Sequence, residues 1–333
     1  MPEAAVPDVP AVDDVELVES AAGQPAAAPK RGRGALLTAL KALLLLAMIG
    51  FAGWALAKNW GEVSDALKQL NIWLVLLSLP PVAMAMGSAM LVWRSLLADL
   101  GAPLPLRVAT RIFFVSQLGK YLPGSVWSIA TQMELGREHK VPRRVGFATG
   151  VLALILTAAV GLPLAAVTLP LAAPDVLGKY WWGMLFIPVF VVILYPRVLG
   201  PLLNLGFRII RQPPLPKLPS VRGMAKAAGW QALVSVFFGI HAWILLLALH
   251  APAGRALFAA IGGYALAYAL GLLAIPLPAG AGVRDVALGA AFSAVVAGPA
   301  AAAVAIVSRV ALTVIDLSLA GGQYALTRRR KRN

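Results

Sequence analysis

Long apolar runs separated by short polar stretches dominate the chain. They predict eight membrane segments, at about 36–57, 72–93, 146–170, 181–199, 228–250, 256–275, 286–298 and 300–325. A transmembrane helix needs about 20 predominantly apolar residues, and most of these runs come close to that length. The seventh is too short to span a bilayer alone and is expected to be a half-helix. The pattern predicts an all-α fold, a polytopic transmembrane helical bundle with broken or re-entrant helices.

The first predicted break lies in the connector 104–142, which is not a simple hydrophilic loop. Its apolar positions recur at helical spacing up to the Pro123-Gly124 pair, and a polar stripe that includes Gln132 follows. Proline ends the first helix, and Ser125 is a candidate N-cap for the next. The connector therefore predicts a helical hairpin that dips into the cytoplasmic leaflet.

The second predicted break is the stretch IPLPAGAGVRDV at 275–286. Its prolines, together with Gly280 and Gly282, interrupt an apolar run, and Arg284 and Asp285 follow at the start of the next helix. An acidic residue in a first turn complements the positive end of the helix. Non-helical backbone at membrane depth is tolerated only where protein or water satisfies it, and paired breaks in two halves point to a binding site.

A helix that begins after such a break presents unpaired N–H groups and a partial positive charge, which attract phosphate. Basic side chains near the breaks would add charge, and a tyrosine would add a hydroxyl donor. The candidate substrate-binding residues are Arg111, Lys120, Tyr121, Pro123, Gly124, Ser125, Gln132, Gly280, Gly282, Arg284 and Asp285. The alternative, that the basic residues only grip the bilayer surface, stays open for Lys120 and Arg284.

Three further groups of polar residues have two readings each. Arg309 and Asp316 lie seven residues apart on one face of the last segment, with partners expected on other elements. They would either couple transport to an ion or proton gradient or form structural ion pairs. For His241, in the middle of a span, an interhelical hydrogen bond is favoured over a proton relay. Glu134 and Glu138 flank Arg137, and local salt bridges are favoured over a catalytic carboxylate near a headgroup site.

Composition narrows the classes of protein. Hydrophobic residues make up 60% and charged residues 13%, whereas roughly 25% charged residues is usual in a soluble domain. The absence of cysteine excludes disulfides, thiolate catalysis and cysteine-based metal sites, and the 3 histidines are too scattered to suggest a metal centre. No metal and no cofactor is expected. The net charge of +15 lies between and beyond the apolar runs, which argues against nucleic acid and for anionic lipid.

The charge distribution also predicts topology. Most of the 29 basic residues fall in the regions 1–41, 94–145, 197–226, 276–285 and 328–332. Lys/Arg bias predicts that these regions are cytoplasmic, so both termini face the cytoplasm of a multi-pass plasma (inner) membrane protein with an even number of crossings. The predicted domains are a disordered acidic Ala/Pro-rich tail (1–34), a transmembrane domain (35–326) and a basic tail (327–333).

The stretches GKYLPGSVW and PLPAGAGVRD resemble the flippase-like family named after the transmembrane region of lysylphosphatidylglycerol synthase, over about 40–326. The family has a Pro-Gly break in its first half and a Pro-rich GG-x-G-x-R-E element in its second. Here Asp285 stands in place of the usual glutamate, Ala281 breaks the glycine pair, and PGSVW replaces a more glycine-rich motif. In bifunctional members this region is implicated in lipid translocation, and a separate soluble domain makes the aminoacyl lipid. No such domain follows here, so lysyl transfer is expected to be absent.

Three functional classes follow from these observations. The first is a translocase or transporter for an anionic phospholipid or a polyprenyl-phosphate-linked lipid. The second is a membrane glycosyl- or headgroup-transferase with Glu134 or Asp285 as base, although no catalytic motif is present. The third is an accessory subunit that binds a partner enzyme of envelope or lipid synthesis through the 200–226 region, which contains PPLPKLP.

Overall fold

The computed structural model describes residues 60–121, 127–173, 184–185, 187–209, 213–273, 280 and 282–332, all within the compact unit Leu45–Asn333. These ranges contain α-helices and no strand. The helices are α1 (Trp60–Gln69), α2 (Ile72–Leu77), α3 (Leu79–Asp99), α4 (Leu106–Gln117), α5 (Trp127–Arg137), α6 (Arg143–Ala172), α7 (Ile187–Leu194), α8 (Pro196–Ile209), α9 (Val221–Ala248), α10 (Ala253–Leu273), α11 (Val283–Phe292) and α12 (Gly298–Arg332). The polytopic helical bundle predicted from the sequence is confirmed.

Five of the predicted membrane segments correspond to helices long and apolar enough to cross a bilayer. These are Ile72–Asp99, Arg143–Ala172, Val221–Ala248, Ala253–Leu272 and Gly298–Leu326. The fourth predicted segment falls on α7 and α8, which meet the same criterion only as a pair bent by 70°. The seventh is α11, whose 10 residues make it a half-helix as expected. The described part of the structure thus has five or six candidate spans, whereas the sequence predicted about eight membrane segments over the whole chain.

Several expectations fall outside the described residues. They concern the acidic tail (1–34), the first predicted segment (36–57), Pro123, Gly124 and Ser125 of the first break, and the prolines and Ala281 of the second. The two arms of the hairpin do lie within the structure. Helices α4 and α5 pack against each other, and a 3₁₀ turn, Leu118–Tyr121, continues the first arm.

Helix α10 lies at the centre of the bundle, packed against α6, α9 and α11. Small residues allow this approach. A Cβ placed on Gly262 would lie 2.4 Å from Thr168 Oγ1 of α6, and one on Gly263 would lie 2.8 Å from Ala291 Cβ of α11. These glycines allow close packing of α10 against α6 and α11, which holds α11 against the core.

A polar clamp fixes where α9 begins. Ser220 caps the helix by accepting a hydrogen bond from Gly223 N at 2.9 Å. Asp99, at the end of α3, accepts hydrogen bonds from Ser220 N (2.7 Å) and Ser220 Oγ (2.6 Å). The clamp joins the end of α3 to the start of α9, the helix that packs along it.

Candidate functional site

One face of α12 brings the two predicted breaks together. Arg309, Thr313 and Asp316 follow one another at helical spacing, so they share this face, as predicted for the two charged residues. The Cα atoms of Arg309 and Asp316 are about 10 Å apart along the axis at 1.5 Å per residue. Each charged residue contacts a different break. Their partners lie on other elements, as expected from the sequence.

The first break meets α12 through Asp316. Lys120 and Tyr121 stand in the 3₁₀ turn after α4, and Lys120 Nζ lies 2.6 Å from Asp316 Oδ2. The Tyr121 hydroxyl donates a hydrogen bond of 2.7 Å to the same oxygen, and Thr313 Oγ1 lies 3.4 Å from that hydroxyl. Asp316 is only 2% exposed. The buried Asp316 carboxylate therefore already binds Lys120 and Tyr121, the donors that the sequence analysis predicted to bind a substrate.

The environment of this turn changes the acid–base properties of both donors. Burial lowers the pKa of the Lys120 ammonium, Asp316 opposes this shift, and the positive charge of Arg284 adds to it. Burial is also the largest cause that raises the pKa of the Tyr121 hydroxyl to about 12. Tyr121 therefore stays protonated, and able to donate, throughout the neutral range. The ion pairs of Asp316 with Lys120 and of Arg309 with Asp285 place residues of both breaks against the same helix.

The second break meets α12 through Asp285. The Asp285 carboxylate caps α11 by accepting a hydrogen bond from Gly282 N at 3.1 Å through Oδ2, and the same oxygen accepts one from the Arg309 guanidinium. Gly282 has a φ of 82° and Gly280 a φ of 64°, a region that glycine enters without steric cost. The first-turn position predicted for Asp285 is thus a true cap, joined to α12 by an ion pair.

Arg284 is the most deeply buried of the predicted cations, at 7% exposure. Its guanidinium carbon lies 5.5 Å from the ring centroid of Tyr268 on α10. The nearest carboxylate is that of Asp285, whose Oδ1 is 3.9 Å from Arg284 Nη2, so the orientation of Arg284 by Asp285 rests on a long contact. Arg284 Nε and Asp285 Oδ1 are both buried without a hydrogen-bond partner among the described residues.

Tyr268 and Thr313 were missed by sequence reasoning. Tyr268 stands in an apolar run rich in tyrosine and glycine, where an aromatic residue is usually part of the core. It precedes the second break by less than two turns, and this proximity was the available clue. Thr313 lies between Arg309 and Asp316 on the same helical face, so helical periodicity alone could have identified it.

Arg111 and Gln132 are not part of this cluster. Arg111 is exposed on α4 and Gln132 is buried in α5, and neither has a hydrogen bond or ion pair to Lys120, Arg284 or Asp316. Pro123, Gly124 and Ser125 lie outside the described residues.

The other polar residues have structural contacts. Glu134 forms exposed ion pairs with Arg137 (3.4 Å) and Arg143 (3.3 Å), which confirms the local salt bridge predicted for it. Glu138 forms no ion pair with the described residues, so the prediction is wrong for that residue. His241 is fully buried, with Nδ1 2.9 Å from Ser78 O and Nε2 2.9 Å from Ser308 Oγ. These bonds join α9 to the start of α3 and to α12, so the interhelical hydrogen bond favoured from the sequence is confirmed.

A comparison with known protein families matches most of the chain to one family model. The model described as "Lysylphosphatidylglycerol synthase TM region" matches residues 38–320, which include both breaks and the candidate site. A comparison with curated proteins gave no match.

Proposed function

The chain belongs to the lysylphosphatidylglycerol synthase TM region family, and we propose that it translocates a lipid between the leaflets of the membrane. Membership of this family makes it a multi-pass membrane protein tied to lipid metabolism or transport. The lipid is an anionic phospholipid or a polyprenyl-phosphate-linked lipid. The observation that carries the proposal is that one face of α12 contacts both breaks. Asp316 binds Lys120 and Tyr121 of the first break, and Arg309 binds Asp285, the neighbour of the buried Arg284, in the second.

The chemistry of these groups suits a phosphate headgroup. Arg284 has a buried guanidinium whose Nε–H has no partner in the described part of the chain. An arginine presents its donors in a planar fork that matches phosphate oxygens. Lys120 adds a point charge and Tyr121 a neutral donor. All three stand beside interruptions in helices, where backbone can rearrange as a headgroup passes. Such broken helices are a common site of substrate binding in membrane transporters.

A leaflet-protection assay tests this function in proteoliposomes. Fluorescent phospholipids and a labelled polyprenyl phosphate lipid are offered, and an impermeant quencher measures how fast each lipid reaches the outer leaflet. Arg284→Gln is expected to slow translocation about tenfold, the loss of roughly 1.4 kcal/mol of headgroup binding. Arg284→Lys keeps the positive charge but loses the planar fork of donors, so its translocation rate should lie between those of wild type and Arg284→Gln.

Arg107→Gln is the control for removing an arginine, because Arg107 is an exposed residue of α4 and should retain wild-type rates. If wild-type protein moves none of the lipids faster than empty vesicles, the translocase function is wrong. Equal loss in Arg107→Gln and Arg284→Gln would instead show that any surface cation matters, and would refute this site.

The proposal includes an orientation with both termini in the cytoplasm of the plasma membrane, based on the Lys/Arg bias. Since the chain has no cysteine, single cysteines can report it directly. Lys68→Cys should react with an impermeant maleimide in intact cells, and Arg137→Cys should react only after permeabilisation. Both side chains are well exposed, at 75% and 61%. The reverse labelling pattern would invert the topology.

A further inference from the structure

The positive and negative charges of the ionisable side chains around α12 are unequal in number. Three are cations, Lys120, Arg284 and Arg309, and two are carboxylates, Asp285 and Asp316. Lys120 is paired with Asp316, and Arg309 with Asp285. Among the residues that the structure describes, this cluster therefore carries one positive charge in excess, and that charge belongs to Arg284.

Arg284 is placed to accept an anion. It is 7% exposed, its Nε has no partner among the described residues, and its closest carboxylate contact is long at 3.9 Å. The ring of Tyr268 gives it only the modest stabilisation of a cation–π contact. A buried guanidinium whose only carboxylate contact is long and shared with Arg309 is costly, and a single negative charge from a ligand would offset that cost.

The donors at the other end of the cluster are already engaged. Asp316 Oδ2 lies 2.6 Å from Lys120 Nζ and 2.7 Å from the Tyr121 hydroxyl. A second negative charge on the ligand would need these donors and would also lie near two carboxylates. Asp316 thus takes the place of a ligand's second negative charge, because it already binds Lys120 and Tyr121.

We infer that Asp316 is a specificity-determining residue, which restricts the site to headgroups with one negative charge, namely phosphodiesters. Phosphate monoesters, with about −1.5 to −2 charges at neutral pH, and pyrophosphates would be disfavoured. This inference rests on the proposed function and narrows it. Glycerophospholipid diesters and polyprenyl phosphodiesters share the required chemistry, and the experiment below separates them.

Binding of four lipids to the full chain in detergent, measured by native mass spectrometry at pH 8, tests the inference. Two carry diacylglycerol tails, phosphatidylglycerol (diester) and phosphatidate (monoester). Two carry polyprenyl tails, a glycosylated polyprenyl phosphate (diester) and polyprenyl phosphate (monoester). Within the tail class that binds, we expect the diester to bind at least tenfold more tightly than the monoester. Equal affinity of diester and monoester would overturn the inference.

Asp316→Asn removes one negative charge from the cluster. It should raise the affinity for the monoester at least tenfold and reduce or invert the preference. Asp65→Asn is the control, because it removes the same charge from an exposed residue of α1 and should leave the preference unchanged. An unchanged preference in Asp316→Asn would also overturn the inference.

A second measurement does not depend on how any variant folds. Lowering the pH from 8 to 5 protonates a phosphate monoester, whose second pKa is about 6, to a monoanion. Phosphatidate should then bind wild-type protein nearly as tightly as phosphatidylglycerol does. The phosphatidylglycerol series controls for any effect of pH on the protein itself, because the charge of this diester does not change between pH 8 and pH 5. A persistent tenfold gap at pH 5 would contradict charge selection.

The failure of the inference can be told apart from the failure of the proposed function. Lipid binding that is lost in Arg284→Gln but does not depend on headgroup charge would refute charge selection by Asp316 and leave the headgroup site standing. No binding of any of the four lipids to wild-type protein would refute both.

Discussion

Replacing Lys120 with methionine is expected to lower the free energy of unfolding by about 3–5 kcal/mol, because it leaves the Asp316 carboxylate buried without its counter-charge. The Asp316 side chain is 1% exposed and that of Lys120 is 20% exposed, so little water can compensate. The hydrogen bond from Tyr121 remains and should keep the loss near the lower end of this range. Reversible unfolding of the purified protein in mixed detergent micelles would measure the change.

Two further variants separate charge from packing. The double variant Lys120→Met/Asp316→Leu removes both charges and should recover most of the lost stability, since apolar replacement of a buried pair is often neutral. Lys68→Met is the matched control, because Lys68 and Asp65 form an exposed pair at 2.9 Å that should contribute less than about 1 kcal/mol. Equal losses in Lys120→Met and Lys68→Met would show that the Lys120–Asp316 pair does not stabilise the fold.

Gly119→Ala is expected to cost about 1–3 kcal/mol, the range for overpacking a well-packed site. A Cβ at Gly119 would lie 2.9 Å from both Ser128 N and Trp127 C, so the clash is with the backbone of α5 and not with a flexible side chain. The two arms of the hairpin must then move apart. Because Lys120 is the next residue, its contact with Asp316 should lengthen, and translocation should slow with the loss of stability.

Gly87→Ala provides the control for this substitution. Gly87 lies inside α3, and a Cβ there would meet nothing within 4 Å. Alanine is favoured over glycine in a helix interior, so this variant should be as stable as wild type or up to about 1 kcal/mol more stable. Thermal midpoints of the two variants in the same detergent give the comparison. A stable, fully active Gly119→Ala protein would mean that the arms are not in close contact.

The sequence predicted the bundle and both breaks because these depend on local patterns. Apolar runs of span length are specified by the chain alone, and so is the interruption of a run by proline and glycine. The shared face of Arg309 and Asp316 follows from helical periodicity. Their partners do not, since the pairing of Asp316 with Lys120 depends on how distant helices pack.

Arg111 illustrates the limit of pattern reasoning in the candidate site. It was chosen for its charge and its nearness to the first break. In the structure its neighbours Ile112 and Phe113 are buried while Arg111 is exposed, so the helix presents a different face to the bundle. An amphipathic pattern shows which residues share a face, but not which element that face meets. Tyr268 was missed for the converse reason, because its contact with Arg284 is made by tertiary packing.

Helix α12 runs unbroken from Gly298 to Arg332, and it holds one ion pair to each break. Because the rise between residues of a continuous helix is fixed, a displacement of the helix along its axis moves all of its residues by the same distance. A sliding motion that stretches the contact of Asp316 with the first break therefore shifts Arg309 by the same distance against the second. The two breaks, which lie far apart in the chain, are thereby mechanically coupled. Axial movement of α12 cannot displace one break without displacing the other.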